Sequence, residues 1–128
     1  MVNWKISIVG AVLVAVLGFC LQLFVGFGLV WGALVSGMIV GYLVNNGFKN
    51  GIINGFMAGL IGGLVLGILF YLVYIIVPHT SNIDISPLVV LVTSLFGMAV
   101  IFSFLGTVGG FIGYMIKILA NKMNLNNE

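Results

Sequence analysis

The sequence predicts an all-α integral membrane protein: four transmembrane helices packed through glycine-zipper faces, forming one domain over residues 1–128. Three observations predict it. Of the 128 residues, 62% are hydrophobic and 5% charged, where a soluble domain carries about a quarter of charged residues. Polar breaks divide the chain into four apolar runs. In "GIINGFMAGLIGGLVLG", residues 51–67, glycine recurs at 51, 55, 59, 63 and 67. A surface this poor in charge cannot be wetted and must face lipid, as the mean hydropathy of +1.37 also implies.

The first span is expected over residues 6–25. Lys5 followed by "ISIVGAVLVAVLGFCLQLFV" resembles an export signal, but no small-x-small cleavage site follows. In "LGFC", Phe19 stands before the cysteine where a lipoprotein signal needs a small residue. The segment therefore reads as a retained helix, with Trp4 as its interfacial anchor. The second span, residues 29–44, follows the Gly26-Phe27-Gly28 break and is barely long enough to cross. It ends at "NNGFKNG", whose Asn46-Gly47 pair is a turn signal. The third span is expected over 52–77. "PHTSNIDISP", bracketed by Pro78 and Pro87, forms the next loop. The fourth, residues 88–120, would measure about 50 Å against a hydrocarbon core of about 30 Å. One crossing is preferred, with tilt, interfacial protrusion or a break near "GTVGG" (106–110) as open alternatives. The tail "NKMNLNNE" reads as polar and outside the helix.

Charge orients this arrangement. Lys5, Lys49, Lys117 and Lys122 are all the basic residues except His79, and four spans place every one on the same side. The positive-inside rule then sets both termini in the cytoplasm, in a multi-pass protein of the plasma membrane.

The glycines form a packing surface. Glycine is about 1 kcal/mol worse than alanine inside a helix, so its accumulation needs a reason. On the third span Gly51, Gly55, Gly59, Gly63 and Gly67 form one row, and Asn54, Ala58 and Gly62 the next. The opposite rows, Ile52-Phe56-Leu60-Leu64-Ile68 and Ile53-Met57-Ile61-Val65-Leu69, are bulky. The second span repeats the pattern with Gly28-Gly32-Ser36 beside Ala33-Gly37-Gly41. The fourth carries Gly106, Gly109, Gly110 and Gly113, and the first only a weaker Ser7-Ala11-Ala15 row. In lipid, where no hydrophobic force joins helices, such faces allow the close backbone approach that dispersion needs. Glycine surface left over on the second or fourth span, at Gly32, Gly37 or Gly106, Gly110, is expected to meet a like chain in a homo-oligomer.

Few residues carry chemistry. Gln22, Ser36, Asn54, Ser103 and Thr107 are candidate pore or polar contacts; Ser94 joins them. Their competing role is bonding between helices or to the carbonyl four residues back. Asn45, Asn46, Asn50 and Asn54 with Lys49 make the best candidate surface. No cofactor, no metal and no catalytic residues are expected. His79 and Asp84 make a poor metal pair, and Cys20, the single cysteine, reads as a buried hydrophobe. "GFG" and "GTVGG" lack the lysine and serine/threonine of a phosphate loop. A net charge of +2 with no basic cluster argues against nucleic acid. No Asp, Glu, Arg or His lies within a span, which argues against proton-coupled transport. No nucleophile–base pair supports an enzyme.

"WGALVSGMIVGYLVNNGFKNGIINGFMAGLIGGLV", residues 31–65, with "GTVGGFIGYM" near the end, resembles an uncharacterised family of small glycine-rich archaeal membrane proteins. The resemblance implies a four-span chain in which two such helices flank a short Gly/Lys turn. It implies no activity. The expected function is a non-enzymatic structural or assembly role, in contact with membrane lipid, with a like chain and with an unidentified membrane partner. The alternative is a passive oligomeric channel for a small solute or ion.

The topology is tested by labelling. A cysteine placed at Ser81 should react with an impermeant thiol reagent in intact cells, and one at Asn126 should not. The reverse pattern would discard the orientation.

Overall fold

The computed structural model describes residues 2–24, 27–44, 47–76 and 86–125. Four α-helices account for nearly all of them: α1 (Trp4–Phe24), α2 (Gly28–Leu43), α3 (Phe48–Ile76) and α4 (Pro87–Leu125). α1, α3 and α4 are long and apolar enough to cross a membrane, whereas α2 is a shorter apolar helix of 16 residues, about 24 Å. Gly26, Asn45, Asn46, His79 and Asp84 lie outside the described residues.

Each boundary has a local cause. Asn3 caps α1: its carbonyl accepts from Ser7 N–H at 2.9 Å and its Oδ1 from Ile6 N–H at 3.4 Å. α3 starts at Phe48, four residues ahead of the expected span. Gly47 turns the chain at φ 86°, and its carbonyl accepts from the N–H groups of Asn50 and Gly51. Pro87 opens α4, where a missing N–H costs nothing, and the Ser86 carbonyl accepts from Val89 and Val90. The expected polar tail is instead helical through Leu125, because asparagine and lysine do not break a helix already propagating. α4 is also unbroken at "GTVGG", where it is clasped on both sides by other helices.

The register of those contacts gives the topology. Along α3, a Cβ placed on Gly55 would meet Gly106 and Gly110, on Gly59 Phe102 and Ser103, on Gly63 Met98 and Ala99, and on Gly67 Ser94 and Leu95. Each step of four up α3 matches a step of four down α4, so these helices are antiparallel. Gly37 faces Gly106 and Gly109 while Gly113 faces Met38, which makes α2 and α4 parallel. Gly10 faces Val40 and Ala58, and Gly62 faces Val14, so α1 runs against α2 and along α3. The bundle therefore goes up, down, up, down. α2 and α3 also touch across its short diagonal, whereas the backbones of α1 and α4 do not approach closely among the described residues.

The interior is thin. A cluster of one apolar residue from each helix, Val14, Ala33, Leu66 and Phe102, forms its core, flanked by Leu29, Met98 and Leu105. Around it the buried residues of α3 are Gly51, Asn54, Gly55, Ala58, Gly59, Gly62, Gly63, Leu66 and Gly67. Those of α2 are Gly28, Gly32, Ala33, Ser36, Gly37, Val40 and Gly41. α1 differs from expectation. Its buried face centres on Gly10, Val14 and Gly18 as well as Ser7 and Ala11, while Ala15 is only half-buried.

The contacts overturn one expectation about spare glycine surface. Gly32 lies against Gly18, Gly37 and Gly106 against each other, and Gly110 against Gly51 and Gly55. These glycines are consumed within the chain.

Gly59 provides the test. Its Cβ would lie 2.7 Å from the Phe102 carbonyl carbon and 3.0 Å from Ser103 Cα, both main-chain atoms that cannot rotate away. Gly59→Leu should destabilise the fold by more than about 3 kcal/mol. Leu60→Ala, on the half-buried outer side, should cost clearly less in the same detergent-unfolding titration. Equal losses would mean that α3 is turned the other way.

Candidate functional site

The polar residues separate by depth and by what they bind. Asn54 of α3 is fully buried and ties α1 to α3. Its Oδ1 accepts from the Asn3 N–H at 2.7 Å and from the Ser7 hydroxyl at 3.0 Å. Its Nδ2 donates to the Asn50 carbonyl at 2.7 Å. Where water is scarce, such bonds hold helices in one register, because slippage would strand donors and acceptors together.

The hydroxyls turn inward on their own helices. Ser36 donates to the Ala33 carbonyl at 3.0 Å, Ser94 to Leu91 at 3.0 Å, Ser103 to Val100 at 2.9 Å and Thr107 to Ser103 at 2.7 Å. Among the described residues no buried side-chain nitrogen or oxygen lacks a partner. Gln22 is exposed, and its Oε1 accepts from the Leu29 N–H at 3.4 Å. It thus serves the first turn of α2, whose own N-cap Phe27 offers no side-chain bond. Gln22 also borders a cavity of about 130 Å³ with Phe19, Leu29, Leu66 and Phe70. Ser36, Asn54, Ser103 and Thr107 line neither it nor the two other described cavities. None of these described cavities brings the five candidates together.

Cys20 is exposed rather than buried and faces outward beside Val16, Phe19 and Leu69. Among the described residues no three metal-ligating side chains gather.

Lys117 does more than its sequence position suggests. Its ammonium donates to the Val44 carbonyl at 2.9 Å, across 73 residues of chain. Val44 is the C-cap of α2, so a cation meets the negative end of that helix. Nearby, Phe48 packs edge-on against Phe111, centroids 5.3 Å apart, and against Tyr114 at 6.3 Å. The start of α1, the end of α2, the start of α3 and the last third of α4 therefore meet at one end of the bundle. All four lysines belong to that end, and no signal along a single helix reveals the Lys117–Val44 pairing.

These features define an all-helical protein built around helices of membrane-spanning length, with its polar bonds spent on holding helices together. The chain belongs to DUF5518, a family of unknown function, whose model matches residues 4–116 and so takes in α1, α2, α3 and most of α4. Comparisons with curated proteins and with solved structures give no match.

Asn54→Ala should lower stability by about 1–2 kcal/mol, because the Asn3 N–H and Ser7 hydroxyl lose their acceptor. Ser103→Ala removes only a bond within α4 and should be nearly neutral. Comparable losses for the two variants in an unfolding titration would contradict the assignment of Asn54 as the inter-helix tie.

Proposed function

We propose that this protein is a non-enzymatic, four-span component of the plasma membrane whose role is structural: it packs through glycine-zipper faces and self-associates. In this reading α2 crosses with the others although it is short, and both termini face the cytoplasm with the lysine end. The grouping of Lys5, Lys49, Lys117 and Lys122 at one end supports that orientation.

The observation that carries self-association is Gly97. Among the described helical glycines it alone has nothing within 4 Å of where a Cβ would stand. It lies on the outer side of α4 between exposed Phe96 and Val100, one turn from exposed Thr93. Packing within the chain accounts for the other helical glycines and leaves this one unexplained, with its cost of about 1 kcal/mol. A second copy approaching that notch backbone to backbone accounts for it. The interface thus moves from Gly32, Gly37, Gly106 and Gly110, which are buried inside one chain, to the outer face of α4. The channel reading draws less support, because the hydroxyls of Ser36, Ser103 and Thr107 bond to their own helices.

Reconstitution at known protein density, with cross-linking and solute flux read on the same vesicles, tests this. The expected result is a discrete oligomer without flux. Gly97→Ile should give a folded monomer, and Gly97→Ala should stabilise that monomer by about 1 kcal/mol. A monomeric wild type would overturn the proposal, and flux abolished by Ser103→Leu would replace it with the channel.

A further inference from the structure

The lysine end combines charge with an apolar groove. The described residues hold four lysines and no acid, and Lys117 sits at the end of α2, against Val44. Immediately beside it a groove of about 330 Å³ runs between α2 and α4. Its walls are the Val35–Leu43 face of α2 and Ile116 of α4, with Gly113 as the gap that opens it. Val35, Ile39, Leu43 and Ile116 are each more than a third exposed. Leu43 and Ile116, both lining the groove, directly precede Val44 and Lys117 in the chain.

We propose that this groove seats one acyl chain of a phospholipid with a net-negative headgroup, and that the Lys117 charge recognises the headgroup phosphate. The chemistry asks for an amphiphile: a hydrocarbon stem for an apolar slot and an anion for its cationic mouth. A second copy fits poorly here. Seated here, it would set its own lysine end, with no described acid, directly against Lys117, whereas an approach at Gly97 lies about 30 Å away along α4. A lysine near an anionic leaflet is worth about fivefold in association, so one well-placed lysine suffices for selectivity.

The inference rests on the membrane reading, and the experiment separates the two. The full chain is reconstituted in phosphatidylcholine vesicles carrying spin-labelled phosphatidylcholine or spin-labelled phosphatidylglycerol. A motionally restricted phosphatidylcholine component reports insertion, and its absence would overturn both readings. With insertion shown, phosphatidylglycerol should be preferred by about fivefold. Lys117→Gln should remove most of that preference. Ile39→Trp, which fills the groove while keeping the lysine, should reduce it. Lys5→Gln, on α1 and away from the groove, should leave it unchanged. No preference in the wild type, equal losses in Lys5→Gln and Lys117→Gln, or an unchanged preference in Ile39→Trp would each overturn the site. If Lys117→Gln fails to fold for want of the Val44 bond, Ile39→Trp and Lys5→Gln still decide it.

Discussion

Everything in this fold depends on main chains touching main chains. In the hydrocarbon that the length and apolarity of α1, α3 and α4 suit, bringing helices together yields no hydrophobic gain, and attraction comes from many weak contacts at short range. Side chains of ordinary size hold helix axes about 8–10 Å apart. Here the inner faces of α2, α3 and α4 are nearly without side chains, so carbonyls of one helix lie where a Cβ of the next would be. That geometry also explains how a bundle with so small a core holds together. Phe102, Leu66, Val14 and Ala33 fill the one place where four helices converge, and elsewhere the backbone itself is the filling.

The legibility of the sequence follows from this. α3 shows its inward face plainly, because Gly51 to Gly67 keep strict spacing and bulky residues occupy the other half. α2 is nearly as clear, and Val40 simply continues the Gly28-Gly32-Ser36 row. α1 is harder. Its interior mixes Gly10 and Gly18 with Val14, and a search for small residues alone settles on the neighbouring Ser7-Ala11-Ala15 row. The valine belongs inside because Gly62 across from it supplies the missing volume, and a complement on another helix is invisible from α1 alone. The same limit hides the partners of α4. Gly106 and Gly110 meet glycines, but Gly59, Gly63 and Gly67 meet the backbone at Phe102, Met98 and Ser94, which no motif marks. The end at Pro87 was legible because proline acts locally, whereas α1 starts at Trp4 behind its Asn3 cap, ahead of the span expected from residue 6. Other ends were missed where the polar residues, Phe48 to Asn50 and Asn121 to Asn124, are compatible with helix.

The polar side chains follow one rule at three depths. Inside, Asn54 makes its bonds between helices and sets the pairing of α1 with α3. Along the helices, Ser36, Ser94, Ser103 and Thr107 bond to carbonyls of the preceding turn. At the ends, Gln22 and Lys117 each reach from one helix to the open backbone of α2, one at its start and the other at its close. α2 is the shortest helix and has no side-chain cap of its own. Its neighbours supply both ends, and sequence periodicity carries no trace of that arrangement because each donor or acceptor comes from another element.

α4 is where these constraints meet. It has extensive inner contacts to both α2 and α3 and is left largely uncovered on its remaining side, from Val89 through Phe96 to Phe104. A helix has limited circumference. Two backbone-close contacts use the Gly106–Gly110 and Gly109–Gly113 sides, so the Gly97 side must point away from both. α1, which lies across the bundle without close backbone approach to α4 among the described residues, does not cover it. The bundle is therefore closed along α1–α2 and α1–α3 and open along the outer wall of α4, with the Gly97 notch in its first third and a groove against α2 near its carboxyl end. A helix that binds two neighbours by surrendering side chains has its remaining side chains on a single face, and that face is the one the bundle itself leaves uncovered.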